Sequence, residues 1–525
     1  MSPTTSCLPQ TNMEGLRHLS ILLSIAYSTC GRNVSLSIAF TSVTTDNLTN
    51  SIRFYTEILG GMLAPELMFR YSGNQHHNMM FQKEILQARQ GKVAPAVFGV
   101  PDISDNGTYE VVGAFIFFDN GLIQLVQFVD KECPEKSFVV RDQRSSPAVV
   151  PNGHVDIWVK STVDLNMYVH ALETRARQLE FNQVMANRPV TVHSEAERER
   201  VAIKNYTMPL NATDQSMQWA YFKGPSGEQL ELNRMAGDVL LDTGKEYCKR
   251  KAVSTAFLDK PHPDNKWKVR AGLTGQNYGL FQHGTRTRSL FGSADFYTEI
   301  LGGSLGNNGD AGFYGDDDQN MLVQKEMLQA EEWHVDYQSL GIPNITLSGN
   351  MSLALRFSYF DNYVIEMLQY DTGRNYSYPK FNPTFNLSTP ALINNMRITF
   401  LLPESVDMNS YLRDVEQRSA ARGFPQVKGN RAVDVNTLGQ QVPLEDYSVT
   451  FTEGALQGLR YSYLKGPSGE QVSFVQFSGP SSEKLKNALL RYNAVSTAFP
   501  ETNPWNRGGY DEYCSQFPPT PQHRL

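Results

Sequence analysis

Phe54-Tyr-Thr-Glu-Ile-Leu-Gly-Gly61 returns unchanged at Phe296 to Gly303, 242 positions later. At the same offset Gln82-Lys-Glu84 recurs as Gln324-Lys-Glu326, Lys223-Gly-Pro-Ser-Gly-Glu-Gln229 as Lys465 to Gln471, and Ala252-Val-Ser-Thr-Ala-Phe257 as Ala494 to Phe499. One constant offset over most of the repeat means two tandem copies of one folded unit.

Working outward from the motif, Asn47 to Leu59 carries apolar residues at Leu48, Ile52, Tyr55 and Leu59, a spacing that predicts a helix, and Gly60-Gly61 stops it. The alternating run Leu36 to Thr41 predicts a strand before the helix. After it come a strand start at Met62-Leu63, an irregular segment through Pro101, and strands at Tyr109 to Phe118 and Leu122 to Phe128. The order returns later in the copy. His154 to Lys160 reads as a strand, Val163 to Gln178 as a helix, and Met217 to Phe222 and Gln229 to Asn233 as strands joined by the turn Gly224-Pro-Ser-Gly227. The expectation is an α+β chain of four βαβββ modules at 33–130, 150–235, 277–372 and 391–478, with a polar linker at 236–276 and a C-terminal tail at 479–525.

At 525 residues, 40% apolar and 19% charged, the composition is that of an ordinary globular protein, and a net charge of −7 without a basic cluster argues against a nucleic-acid partner. Residues 1–31 have the layout of a signal peptide: Arg17 and His18, the apolar run Leu19 to Tyr27, then small residues around Ser28 to Gly31. No run is long enough to predict a membrane span. Nine Asn-x-Ser/Thr sites, at Asn33, Asn47, Asn106, Asn205, Asn211, Asn344, Asn350, Asn375 and Asn386, fit a secreted or luminal glycoprotein. Cys248 and Cys514 share a Glu-Tyr-Cys context and are the expected disulfide among Cys133, Cys248 and Cys514, although connectivity does not follow from sequence.

A helix ending in Phe-Tyr-x-x-x-Leu-Gly, and strands flanking a Gly-Pro-x-Gly turn that leads into Leu230-Glu-Leu232, resemble the glyoxalase, or vicinal oxygen chelate, family over about four-fifths of the chain. The resemblance implies modules paired into cup-shaped sheets, one with four and two with three, each module offering a metal ligand from its first strand and one from its last. Alternation in module two sets Val155, Ile157 and Val159 on one face and His154, Asp156 and Trp158 on the other, with Glu231 opposed to Leu230 and Leu232.

His154 and Glu231 then stand at the family's ligand positions in module two, and Glu366 and Gln282 in module three, with Leu280 replacing Gln282 if the loop is two residues longer. Arg286 lies on the face of Gln282 and resembles a position that holds a substrate carboxylate; Asp156 and Trp158 would shape the pocket. Modules one and four offer only Phe40 or Ile38, Gln124, Met396 or Arg397, and Ser473, so the second cup looks dead. One imidazole, one amide and two carboxylates resemble the glyoxalase I set and suit a divalent Zn, Ni, Fe or Mn ion.

The implied chemistry is enediolate formation on a small vicinal-oxygen substrate by an isomerase- or lyase-type enzyme, with Glu231 and Glu366 as the acid and base in undetermined order. A dioxygenase of this fold would want two histidines, and only His154 fills a first-strand position. Val150 and Tyr370 depart from the family's glutathione-binding pattern. The competing expectation is a secreted small-molecule-binding protein whose metal site has been lost. Internal duplication can replace a dimer, so a monomer is expected.

Overall fold

The repeated motif does not continue the regular helix that the spacing predicts. Asn47 caps Leu48–Arg53, its Oδ1 accepting from the Asn50 amide at 3.0 Å, and the helix then widens into a π-turn over Phe54–Ile58. The Leu59 amide donates to the Phe54 carbonyl at 3.2 Å. In the second copy Ser289 caps Leu290–Asp295, and Phe296–Ile300 is again π-helical. Phe54 is fully buried and Ile52 half-buried. Gly60 and Gly302, at φ +78° and +84°, follow each turn in the left-handed region that favours glycine.

The computed structural model describes residues 36–72, 78–81, 92, 109–118, 121–133, 152–187, 190–192, 198–200, 206–209, 216–249, 277–306, 311–314, 352–360, 363–371, 393, 395–431, 433–434, 440–441, 446–492 and 515. The first group of strands is β1 (Ser37–Thr44), β2 (Met62–Leu63), β3 (Phe69–Ser72), β4 (Tyr109–Phe117) and β5 (Leu122–Asp130). The second is β6 (Gly153–Val159), the ribbon β7 (Val190–Val192) and β8 (Arg198–Arg200), then β9 (Met208–Pro209), β10 (Met217–Lys223) and β11 (Gln229–Met235). The second copy runs through β12 (Asn277–Arg286), β13 (Ser304–Leu305), β14 (Ala311–Tyr314), β15 (Ser352–Tyr359) and β16 (Val364–Asp371). It ends with β17 (Arg397–Leu401), the ribbon β18 (Val433–Asp434) and β19 (Gln440–Gln441), then β20 (Val449–Thr450), β21 (Leu459–Lys465) and β22 (Gln471–Phe477).

These strands form two nine-stranded mixed sheets. The first has the order β2-β4-β5-β1-β17-β22-β21-β20 with β3 also on β4, and the second β13-β15-β16-β12-β6-β11-β10-β9 with β14 also on β15. The outer quarters of the chain thus share one sheet and the inner quarters the other, which is the pairing the resemblance implied. The seams are antiparallel, β1 on β17 and β12 on β6, whereas each first strand runs parallel to its own last strand.

The two longest repeated motifs touch each other within each copy. Tyr55 donates to Glu228 Oε1 at 3.2 Å, the Ser226 amide donates to Glu228 Oε2 at 2.9 Å, and the Ser226 hydroxyl donates to Asp46 Oδ1 at 2.7 Å. In the second copy Tyr297 donates to Glu470 at 3.4 Å and the Ser468 amide does so at 2.8 Å.

Two segments differ from the expectation. The linker at 236–276 begins with the helix Gly237–Lys249, and the tail at 479–525 with the helix Gly479–Tyr492. The second buries Leu485, Ala488 and Leu489, an i, i+3, i+4 stripe, against the aromatic core of the first sheet. That stripe follows a Gly-Pro-Ser-Ser opening, which reads as a loop when taken alone.

Cys248 is disulfide-bonded, while its expected partner Cys514 lies outside the described residues; Cys133 is free and exposed. The expected signal peptide and every expected glycosylation site except Asn47 also lie outside them, and Asn47 is exposed. Among the described residues no helix is long and apolar enough to cross a membrane.

Candidate metal centre

Strand register brings the candidate residues into two neighbouring rows on the middle strands of the second sheet. In one row Gly284 on β12 pairs with His154 on β6 and with Glu366 on β16. In the other, Asp156 on β6 pairs with Glu231 on β11 and with Gln282 on β12. Residues two apart on a strand share a face, so all six positions face the same side. A β-bulge between Leu280 and Gln282 decides between the two alternatives for β12: Leu280 pairs with Ile157, on the opposite face, and Gln282 falls in the row with Asp156.

His154 Nε2 lies 2.9 Å from Glu231 Oε2 and 3.2 Å from Glu366 Oε2, with His154 1% exposed and the two glutamates 4% and 6%. One ligand atom from each of the three residues lies within 4.8 Å of the others. None of these three atoms makes a hydrogen bond of ordinary geometry, and neither do His154 Nδ1 and Gln282 Oε1, although all are buried. Buried polar atoms normally align with a partner, so close approach without alignment points to atoms aimed at a common centre. Two ligands each about 2.1 Å from one ion, at angles between square and tetrahedral, stand about 3.0–3.4 Å apart. The separations of His154 from Glu231 and from Glu366, 2.9 and 3.2 Å, lie near that spacing.

The buried charges of the cluster act strongly on one another. Burial opposes the charged imidazole of His154, but Glu231 and Glu366 outweigh it and hold its pKa above the usual histidine value. Burial pushes the Glu231 carboxyl up, Glu366 adds to the rise, and His154 and Arg286 offset part of it. Asp156, fully buried, is raised well above the carboxylate range by burial and then by Glu231 and Glu366, with Asn233 and the Ile157 amide offsetting only part. Arg286 is 1% exposed. A divalent ion facing Glu231 and Glu366 would stabilise their charged forms against burial.

Trp158 shares the face of His154 but stands away from the cluster, packing edge-on against Phe281 at 4.5 Å in a group with Met235 and Val364. Asp156 is not peripheral, because its pairing with Glu231 and Gln282 sets it between them. Gly284 was not among the expected site residues: a glycine inside a strand marks a close approach, but the sequence does not say to what.

The first sheet repeats both rows with other residues, and register settles the alternatives there. Ser42 pairs with Arg397 and Gln124 as Gly284 does with His154 and Glu366, and Thr399 pairs with Ser473 and Phe40 as Asp156 does with Glu231 and Gln282. Arg397 therefore stands where the other sheet has His154, its guanidinium 5.7 Å from the centre of the Tyr463 ring. No carboxylate occupies these positions. The same face packs Phe40, Phe69, Tyr71, Phe115, Tyr461 and Tyr463 into a continuous core.

No protein-family model matches the chain, and no curated protein does. Among solved structures, glyoxalase I from Zea mays is similar at 13% identity and a TM-score of 0.40, covering 88% of this chain and 98% of that one. A point mutant of that enzyme gives 12%, 0.41, 88% and 99%. A glyoxalase family protein from Bacillus cereus gives 17% identity and a TM-score of 0.23 over 39% of this chain and 98% of its own. These are partial likenesses at low identity, and the site described above stands on this chain's own side chains.

Proposed function

We propose that His154, Glu231 and Glu366, with Gln282 beside them, hold a divalent metal ion, and that the protein is a divergent metal-dependent enzyme acting on a small substrate with vicinal oxygens. The observation that carries this reading is the convergence of one imidazole nitrogen and two carboxylate oxygens, buried and unaligned for hydrogen bonding to each other. Nitrogen and oxygen donors without thiolate suit Zn, Ni, Fe or Mn. When bound, such an ion supplies Lewis acidity toward adjacent substrate oxygens.

The chain's own groups define the remaining chemistry. Glu231 and Glu366 are the candidate proton carriers for an isomerase- or lyase-type transfer between neighbouring carbons, since both are buried carboxylates at the cluster. Arg286, buried on the same strand as Gln282, is suited to a carboxylate or other anionic oxygen of the substrate. Trp158 and Phe281 form a buried apolar contact on the same sheet. The leader-like N-terminus, the glycosylation sites and the Cys248 disulfide support a secreted protein made in an oxidising compartment, and the internal pairing supports a monomer.

The test is metal content by elemental mass spectrometry on protein purified without chelating resin, beside the double variant His154→Ala, Glu366→Ala. Close to one ion per chain, lost in the variant, is the expected result and leads to a screen of dicarbonyl and hydroxyketone substrates. Absence of metal from both samples would overturn the enzyme reading and leave a small-molecule-binding protein as the alternative.

A further inference from the structure

Strand β12 stands between β6 and β16, so His154 and Glu366 are two strands apart, roughly 10 Å between backbones at the usual strand spacing. Even so, His154 Nε2 comes to 3.2 Å from Glu366 Oε2. The imidazole covers the distance by lying over Gly284, the residue paired with both. A Cβ at position 284 would lie 1.9 Å from His154 Cε1, 2.3 Å from Nε2 and 2.4 Å from Nδ1. Any side chain there must displace the ring.

Backbone conformation does not explain the glycine. Gly284 lies outside the positive-φ glycines of the structure, so alanine could adopt its backbone without strain. The corresponding position of the first sheet supplies a contrast within the same chain. Ser42 stands there, its hydroxyl donates to Gln124 Oε1 at 2.6 Å, and its cross-strand partner is Arg397.

We propose that Gly284 is the positioning residue of the metal centre: its bare Cα is the seat on which the His154 ring lies to face both carboxylates. The first sheet, which carries serine at this position, has an arginine in place of the imidazole. The role in metal binding rests on the reading proposed above, whereas the seat itself is testable without metal.

The experiment is a double-mutant cycle of wild type, Gly284→Ala, His154→Ala and the double variant, read by melting temperature in chelator-treated protein and by Zn²⁺ affinity in competition with a chromogenic chelator. Gly284→Ala is expected to lower the melting temperature by several degrees when His154 is present and by less than about one degree in the His154→Ala background. It should weaken Zn²⁺ binding about 10- to 100-fold. Should Gly284→Ala fail to fold, recovery of folding in the double variant is the same expected result. An equal loss of melting temperature in both backgrounds would overturn the proposal, because the glycine would then serve something other than the imidazole. Unchanged Zn²⁺ affinity in Gly284→Ala would overturn it too. Wild type that binds no Zn²⁺ would sink the metal reading alone, and the melting temperatures would still decide whether the ring sits on Gly284.

Discussion

Glu228 shows how a repeated residue acquires a task that is structural. Burial pushes its carboxyl up to about 7, and hydrogen bonds from backbone amides and Tyr55 hold it from rising further. A carboxyl whose pKa is higher folded than unfolded carries its proton in the folded state between pH 4.5 and about 7, where the unfolded chain has released it. Stability is therefore greatest below that window and declines as the pH rises through it. Relative to Glu228→Gln, which cannot titrate, wild type should lose on the order of 3 kcal/mol between pH 4 and pH 8. Urea unfolding of both proteins at the two pH values checks this. Equal slopes would mean that Glu228 keeps its charge in the fold. At the same scale, His154, Glu231 and Glu366 were legible as candidates because strand alternation and the resemblance converge on them. Gly284 was not, since the reason for a missing side chain lies on the next strand.

At the scale of elements, the two helices that follow the sheets behave differently. Gly479–Tyr492 seats Leu485 and Leu489, 3% and 1% exposed, in the aromatic core of the first sheet. On Gly237–Lys249, Leu241 is 45% exposed, while Val239 and Leu240 rest partly buried on the group around Trp158. Leu489→Ala should cost about 2–5 kcal/mol of stability through lost transfer and the cavity it leaves. By contrast, Leu241→Ala should stay within about 0.5 kcal/mol of wild type. Chemical denaturation of the two variants distinguishes them, and similar losses would show that the two helices are equally anchored. The π-turns belong to this scale as well. Periodicity in Asn47 to Leu59 predicts a helix but cannot reveal one extra residue in a turn, which the packing of Phe54 and Tyr55 selects.

Across the whole molecule, the duplicated sheets have taken opposite courses on equivalent positions. One retains buried carboxylates around an imidazole, and the other has filled the same face with aromatic rings and placed Arg397 where the imidazole would be. A fixed guanidinium without carboxylates at the neighbouring positions repels a cation. Metal content should therefore be unchanged by Arg397→Met and abolished by His154→Ala, as read by elemental analysis of folded protein. Metal lost in Arg397→Met would show that the first sheet also contributes to binding.

The sequence by itself determined the duplication, the α+β class, most strand positions and the candidate ligands His154, Glu231, Gln282 and Glu366, because these depend on a constant offset, on local periodicity and on a resemblance carried by short motifs. It also left choices that no local pattern resolves: Gln282 or Leu280, Arg397 or Met396, Phe40 or Ile38. Only the tertiary structure decided these, through the bulge in β12 and the pairing of β1 with β17. Register is a property of two strands brought together by the fold, and a one-residue slip turns every side chain to the opposite face. The same reasoning holds for Gly284, whose significance exists only once His154 lies across it.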